Sequence, residues 1–132
     1  MRSLIITLFL TVSSSLFAQQ KEFINPIIPG GHPDPSICRV DDDYYIVNST
    51  FEYFPGLPIH HSKDLVNWKL IGYGLHREDQ ATGAVNLVDV QQNGGIHAPT
   101  IRHNNGIFYI IVTNVYSPPA GGSGQMVNFV IT

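Results

Sequence analysis

The stretch of the chain best suited to chemistry is His32-Pro33-Asp34-Pro35-Ser36-Ile37. Pro33 fixes its own backbone torsion and Pro35 excludes the helical region for Asp34, so one carboxylate is held in a nearly predetermined direction at the mouth of a strand. Acid–base catalysis needs a carboxylate positioned in this way. An ordinary turn also uses Asp-Pro, and these residues alone leave both readings open. Further along, Phe51, Tyr53 and Phe54 form an aromatic cluster. Such planes pack on the C–H faces of sugar rings, or on the core of their own loop. His60, His61, His76 and His103 do not form a metal signature; His60 and His61 are adjacent on a strand and point to opposite faces. Asp41-Asp42-Asp43 lacks the alternating ligands and the glycine of a calcium loop and reads as a solvated turn. Cys38 has no second cysteine to pair with and reads as a small buried hydrophobe. No metal and no cofactor is expected.

The elements that must position these residues are strands. Runs rich in β-branched and aromatic residues fall at 36–40, 44–49, 57–61, 68–72, 100–103, 107–114 and 126–132, separated by Gly, Pro, Asn, Asp and Ser. Trp68 opens one run and is expected in its core, while 117–124 is expected to be a loop or linker. Residues 34–50 laid on 98–114 pair Pro35 with Pro99, Ile37 with Ile101, Tyr45 with Tyr109 and Ile46 with Ile110. Ser36 with Thr100, Tyr44 with Phe108, Val47 with Ile111 and Ser49 with Thr113 are conservative pairs. Asp34 meets Ala98, so the proline device recurs without the carboxylate. A repeat of strand, polar turn and strand is the pattern of β-propeller blades. A closed ring of four to eight such blades needs on the order of 250 to 500 residues. The 132 residues hold roughly one and a half to two blades, and the chain is expected to be the amino-terminal part of a longer propeller.

Composition narrows the partners. The chain is 43% hydrophobic and 13% charged, and 7 Lys and Arg against 10 Asp and Glu give a net charge of −3, with no basic cluster to neutralise phosphates. A neutral partner is expected, and no nucleic acid. Arg2, the apolar run 4–12 and the small residues ending at Ala18 read as a secretory leader over residues 1–18. The run is too short for a stable membrane span. Export to the periplasm or the extracellular space is therefore expected, with 19–132 as the mature propeller piece.

Taken together, Asn25-Pro26-Ile27, His32 to Arg39, Asp43-Tyr44-Tyr45, Ser49 to Gly56, His61 to Trp68 and Gly94 to Thr100 resemble glycoside hydrolase family 43, in particular its β-xylosidases and α-L-arabinofuranosidases. The resemblance implies a five-bladed β-propeller that cleaves glycosidic bonds with inversion, using an Asp base, a second Asp that orients and tunes the acid, and a Glu acid. It puts Asp34 at the base. None of Glu22, Glu52, Glu78, Asp79 or Asp89 lies in a motif matching the other two. The resemblance also implies substrate contacts for Phe51 in the pocket for the non-reducing end, and for His32 at its floor. His97 stands where relatives commonly carry a Trp wall, and its smaller, titratable ring implies a wider or differently selective pocket. The expected function is an inverting, exo-acting glycosidase of xylan- or arabinan-derived oligosaccharides, of which this chain holds the base and not the acid. The alternative is a secreted, non-catalytic, carbohydrate-binding propeller piece.

Overall fold

The structure, a computed structural model, describes residues 22–81, 87, 90–116 and 125–132. The expected leader over 1–18 and the expected loop over 117–124 lie outside the described residues, as does Asp89. Seven strands are present among them: β1 (Ser36–Val40), β2 (Asp43–Val47), β3 (Gly56–Ser62), β4 (Lys69–Leu75), β5 (Gly95–Asn104), β6 (Ile107–Tyr116) and β7 (Gln125–Ile131). They form two antiparallel meanders, β1-β2-β3-β4 and β5-β6-β7. The only helical element described is a short 3-10 turn at Glu78–Ala81. No helix among the described residues is long and apolar enough to cross a membrane.

The repeat is written into the backbone register. Ser36 pairs with Val47, Ile37 with Ile46 and Cys38 with Tyr45; 64 positions on, Thr100 pairs with Ile111, Ile101 with Ile110 and Arg102 with Tyr109. Positive φ recurs at the same spacing, at Asp34 (49°) and Ala98 (44°) and at Asp41 (51°) and Asn105 (49°). β5 starts at Gly95, earlier than the expected 100, because its register shifts between His97 and Thr100. That irregularity absorbs Pro99, which has no N–H to give a regular ladder.

Alternation along the strands decides which face of each sheet meets the other. On the first sheet, Cys38, Tyr45 and Val47 point toward the second, and the Tyr45 ring lies 4.7 Å from that of Phe108. On the second sheet the opposite face is used, the one carrying Ile101, Phe108 and Ile110. Exposure at equivalent positions is therefore reversed: Ile37 is 50% exposed where Ile101 is 1%, and Val47 is fully buried where Ile111 is 51% exposed. Stacking one face on the other in this sense is the step by which blades build a propeller, and it leaves one apolar face open at each end of the pair. The shared core is Val47, Leu57, Leu75, Ile96, Ile101, Ile110 and Val112. Gly74 lets β4 approach it closely, since a Cβ there would lie 3.2 Å from Leu57 Cβ and 3.4 Å from Ile110 Cδ1.

Two expectations are corrected. Trp68 precedes β4 rather than opening it and is only half-buried; its Nε1–H donates to Leu65 O at 3.0 Å, so the ring serves the turn before it, not the blade core. That turn is largely self-contained: Asp64 accepts from the backbone N–H groups of Val66 and Asn67, from the Asn67 side chain and from the Ser62 hydroxyl, which hold its carboxyl well below the usual range. Asp43 is not part of a free acidic turn. It begins β2, where Lys63 at 2.8 Å and His61 pair with it, and both lower its pKa. Cys38 is half-buried against the core.

Ile101 fills the interface between the sheets, so Ile101→Ala is expected to destabilise the protein by about 2–5 kcal/mol, measured by urea unfolding.

Candidate active site

Asn48 and Ser49 follow β2 and are 1% and 3% exposed, so each buried polar group must find partners. The Asn48 Nδ2 and the Ser49 backbone N–H and hydroxyl find them in the proline-flanked segment, while Asn48 Oδ1 is buried without a partner among the described residues. Asn48 Nδ2 donates to His32 O at 3.0 Å and Pro33 O at 3.2 Å, and the Ser49 N–H donates to Pro33 O at 3.1 Å. Asp34 itself is exposed. The expected exclusion of the right-handed helical region holds, but Asp34 takes the left-handed region at φ 49°. Aspartate tolerates this region better than most residues. Its Oδ2 accepts the Ser49 hydroxyl at 2.7 Å. The same Ser49 oxygen accepts the N–H of Ala98 at 2.7 Å, tying Asp34 to the second sheet.

A second link runs beside the first. Phe51 and Ile96 form an isolated antiparallel bridge, in which Ile96 O accepts from Phe51 N at 3.0 Å and Phe51 O accepts from Ile96 N at 2.9 Å. Gly95 makes this approach possible: its φ is 84°, and a side chain there would meet Phe51 O at 2.1 Å. The bridge sets the half-buried Phe51 and His97 rings edge to face, with centroids 4.8 Å apart. His97 Nε2–H donates to Asn93 O at 3.0 Å, which fixes its ring. Asp34, Phe51 and His97 are thus assembled at one junction between the sheets. Tyr53 and Phe54 are exposed, at 68% and 42%.

His32 precedes the proline-flanked carboxylate. Its Nε2–H donates to Pro29 O at 3.1 Å and its ring stands edge-on to His60, 5.2 Å between centroids. The Nδ1 atoms of both rings are buried without a partner among the described residues. Burial, and then the neighbouring His32, push the His60 pKa down. No group of three or more metal-ligating side chains occurs among the described residues. Of the other carboxylates, Glu52 accepts the Asn93 N–H at 3.2 Å and Asp79 pairs with Arg77 at 3.2 Å. Asn48 and Ser49 are the residues that sequence reasoning passed over as parts of the site. The repeat holds the signal, because Asn48 stands where the second unit has the apolar Val112.

The sequence matches the model of glycosyl hydrolases family 43 over residues 23–132. It is 54% identical over 114 residues to a non-reducing end α-L-arabinofuranosidase of Bacteroides ovatus, covering 86% of this chain and 20% of that protein. It is 44% identical over 108 residues to a xylan 1,3-β-xylosidase of a Vibrio species, covering 82% and 19%. Among solved structures, a xylan β-1,4-xylosidase of Bacillus halodurans superposes with a TM-score of 0.69 at 44% identity, over 83% of this chain and 20% of that one. The solved relatives are five-bladed β-propellers, and this chain corresponds to their amino-terminal part. It spans about a fifth of the length of these relatives.

Two outcomes follow for stability. Gly95→Ala is expected to cost more than about 1 kcal/mol, read by urea unfolding. His60 is held neutral in the fold against an ordinary value of 6.5, so the unfolded chain takes up its proton first as pH falls. Its contribution is therefore complete above 6.5 and declines below it. Melting temperature is expected to fall more steeply between pH 7 and pH 5 in the parent than in His60→Gln.

Proposed function

Because the chain belongs to glycosyl hydrolase family 43, we propose that it carries the general base of an inverting, exo-acting glycosidase that releases xylose or arabinose from xylan- or arabinan-derived oligosaccharides. The observation that carries this reading is Asp34: an exposed carboxylate locked between two prolines, anchored through one oxygen to Ser49 and set at the junction that also bears the Phe51–His97 wall. Asp34 takes a proton from a water molecule as the water oxygen bonds to the anomeric carbon. The glycosidic C–O bond breaks on the opposite face, and the leaving oxygen receives a proton from a carboxylic acid roughly 6.5–9.5 Å from the base. Neither Glu52, turned to Asn93, nor Asp79, paired with Arg77, is arranged as that acid. In this reading the acid comes from blades that follow in the complete ring. Phe51 supplies an apolar plane for the sugar's C–H face, and His97 a smaller neighbour than an indole. His32 braces the segment that carries Asp34 and lines the floor beside it. The function includes export directed by residues 1–18.

The full-length protein is expected to hydrolyse an aryl β-xyloside or aryl α-L-arabinofuranoside. Asp34→Ala should lower kcat by about 10²- to 10⁴-fold, in a steady-state assay with the folded state checked by circular dichroism. Near-parental turnover in that variant would remove Asp34 from the mechanism. The 132-residue chain alone is expected to give no turnover.

A further inference from the structure

Resting on the reading of Asp34 as the base, we propose that Ser49 is its positioning residue, and that through Ser49 the base is aligned by the seating of the second blade. The Ala98 N–H can only donate, so at 2.7 Å the Ser49 oxygen accepts from it. The single hydroxyl proton is then directed to Asp34 Oδ2, also at 2.7 Å. A serine rotor is ordinarily free to choose among partners; here the neighbouring sheet removes the choice. Ser49 is 3% exposed, so water does not compete for either bond.

The arrangement distinguishes the two carboxylate oxygens. Oδ2 is occupied by Ser49, and Asp34 makes no other side-chain hydrogen bond among the described residues. Oδ1 accepts no side-chain hydrogen bond among the described residues and is the less engaged oxygen toward an attacking water. The frame around Ser49 is rigid: its own N–H is bonded to Pro33 O, and the next two residues donate to Ile96 O at 3.3 and 3.0 Å. Ala98 sits at φ 44° without a polar side chain to favour that conformation, and the bond to Ser49 holds it there. Base and aromatic wall consequently share one frame.

Thr113, the equivalent residue of the second sheet, donates to Asn128 Oδ1 at 2.6 Å within its own sheet. In the first unit, where the proline-flanked residue is Asp34, the hydroxyl crosses between sheets.

The test measures steady-state kinetics of the full-length protein on an aryl xyloside or arabinofuranoside. Ser49→Ala is expected to lower kcat about ten- to a hundredfold, the loss typical of a reacting group displaced by about 1 Å. KM should stay within about twofold, because ground-state binding is untouched. Ser49→Thr keeps the hydroxyl and should recover most of the lost kcat. An unchanged kcat in Ser49→Ala, a loss falling mainly on KM, or a folded Ser49→Thr as slow as Ser49→Ala would overturn the proposal. Should Ser49→Ala not fold, Ser49→Cys fills the same space with a weaker donor and makes the same measurement. Failure of the underlying reading looks different: Asp34→Ala would then keep near-parental kcat. When Asp34→Ala abolishes turnover and Ser49→Ala does not reduce it, only the role of Ser49 is refuted.

Discussion

One buried hydroxyl group joins the carboxylate of Asp34 to a backbone N–H of the neighbouring sheet. Ser49 donates to Asp34 Oδ2 and accepts from Ala98, each at 2.7 Å, and no rotation of the hydroxyl satisfies both partners otherwise. The two bonded positions, Asp34 and Ala98, are the same position of the repeated unit, and both lie at positive φ. One is the candidate base and the other carries the anchor. The position of the candidate base is thus defined by two sheets together, which suits a reaction whose second carboxyl group must stand at a fixed separation across the sugar.

The packing that brings the anchor into place is a face-to-opposite-face stack. Cys38, Tyr45 and Val47 of the first sheet meet the face of the second that carries Ile101, Phe108 and Ile110. Identical registers in the two sheets make the step repeatable, and the half-exposed Ile37 and Ile111 mark where the next steps belong. The two-residue bridge between Phe51 and Ile96, allowed by Gly95, stiffens the same junction. Burial of Asn48 against the carbonyls of His32 and Pro33 ties the proline-flanked segment to the end of β2. Packing, backbone strain and side-chain hydrogen bonds all converge on one short region.

Much of this was legible in the sequence. The strands stand where β-branched and aromatic runs alternate with turn residues, and the match of 34–50 to 98–114 anticipated a shared register. Pro33 and Pro35 singled out Asp34 because a fixed backbone leaves a side chain few directions. An aromatic at the head of an apolar run looks like core, whereas the Trp68 indole N–H finds a carbonyl in the preceding turn. Sequence order groups Asp43 with its acidic neighbours and hides His61 on the adjoining strand and Lys63 just past its end, both of which reach it.

By itself, the sequence determined the all-β class, the repeat, the family resemblance and the candidate base. Those properties are local: periodicity, proline torsions and motif order all act within a few residues. Only the tertiary structure decided that Asp34 takes the left-handed region, that Asn48 and Ser49 hold it, that Phe51 and His97 stand against each other, and that His32 packs on His60. Each depends on a bond or contact between residues far apart in the chain. Such pairings are set by which sheet faces are apolar enough to bury together, and one-dimensional order does not record them.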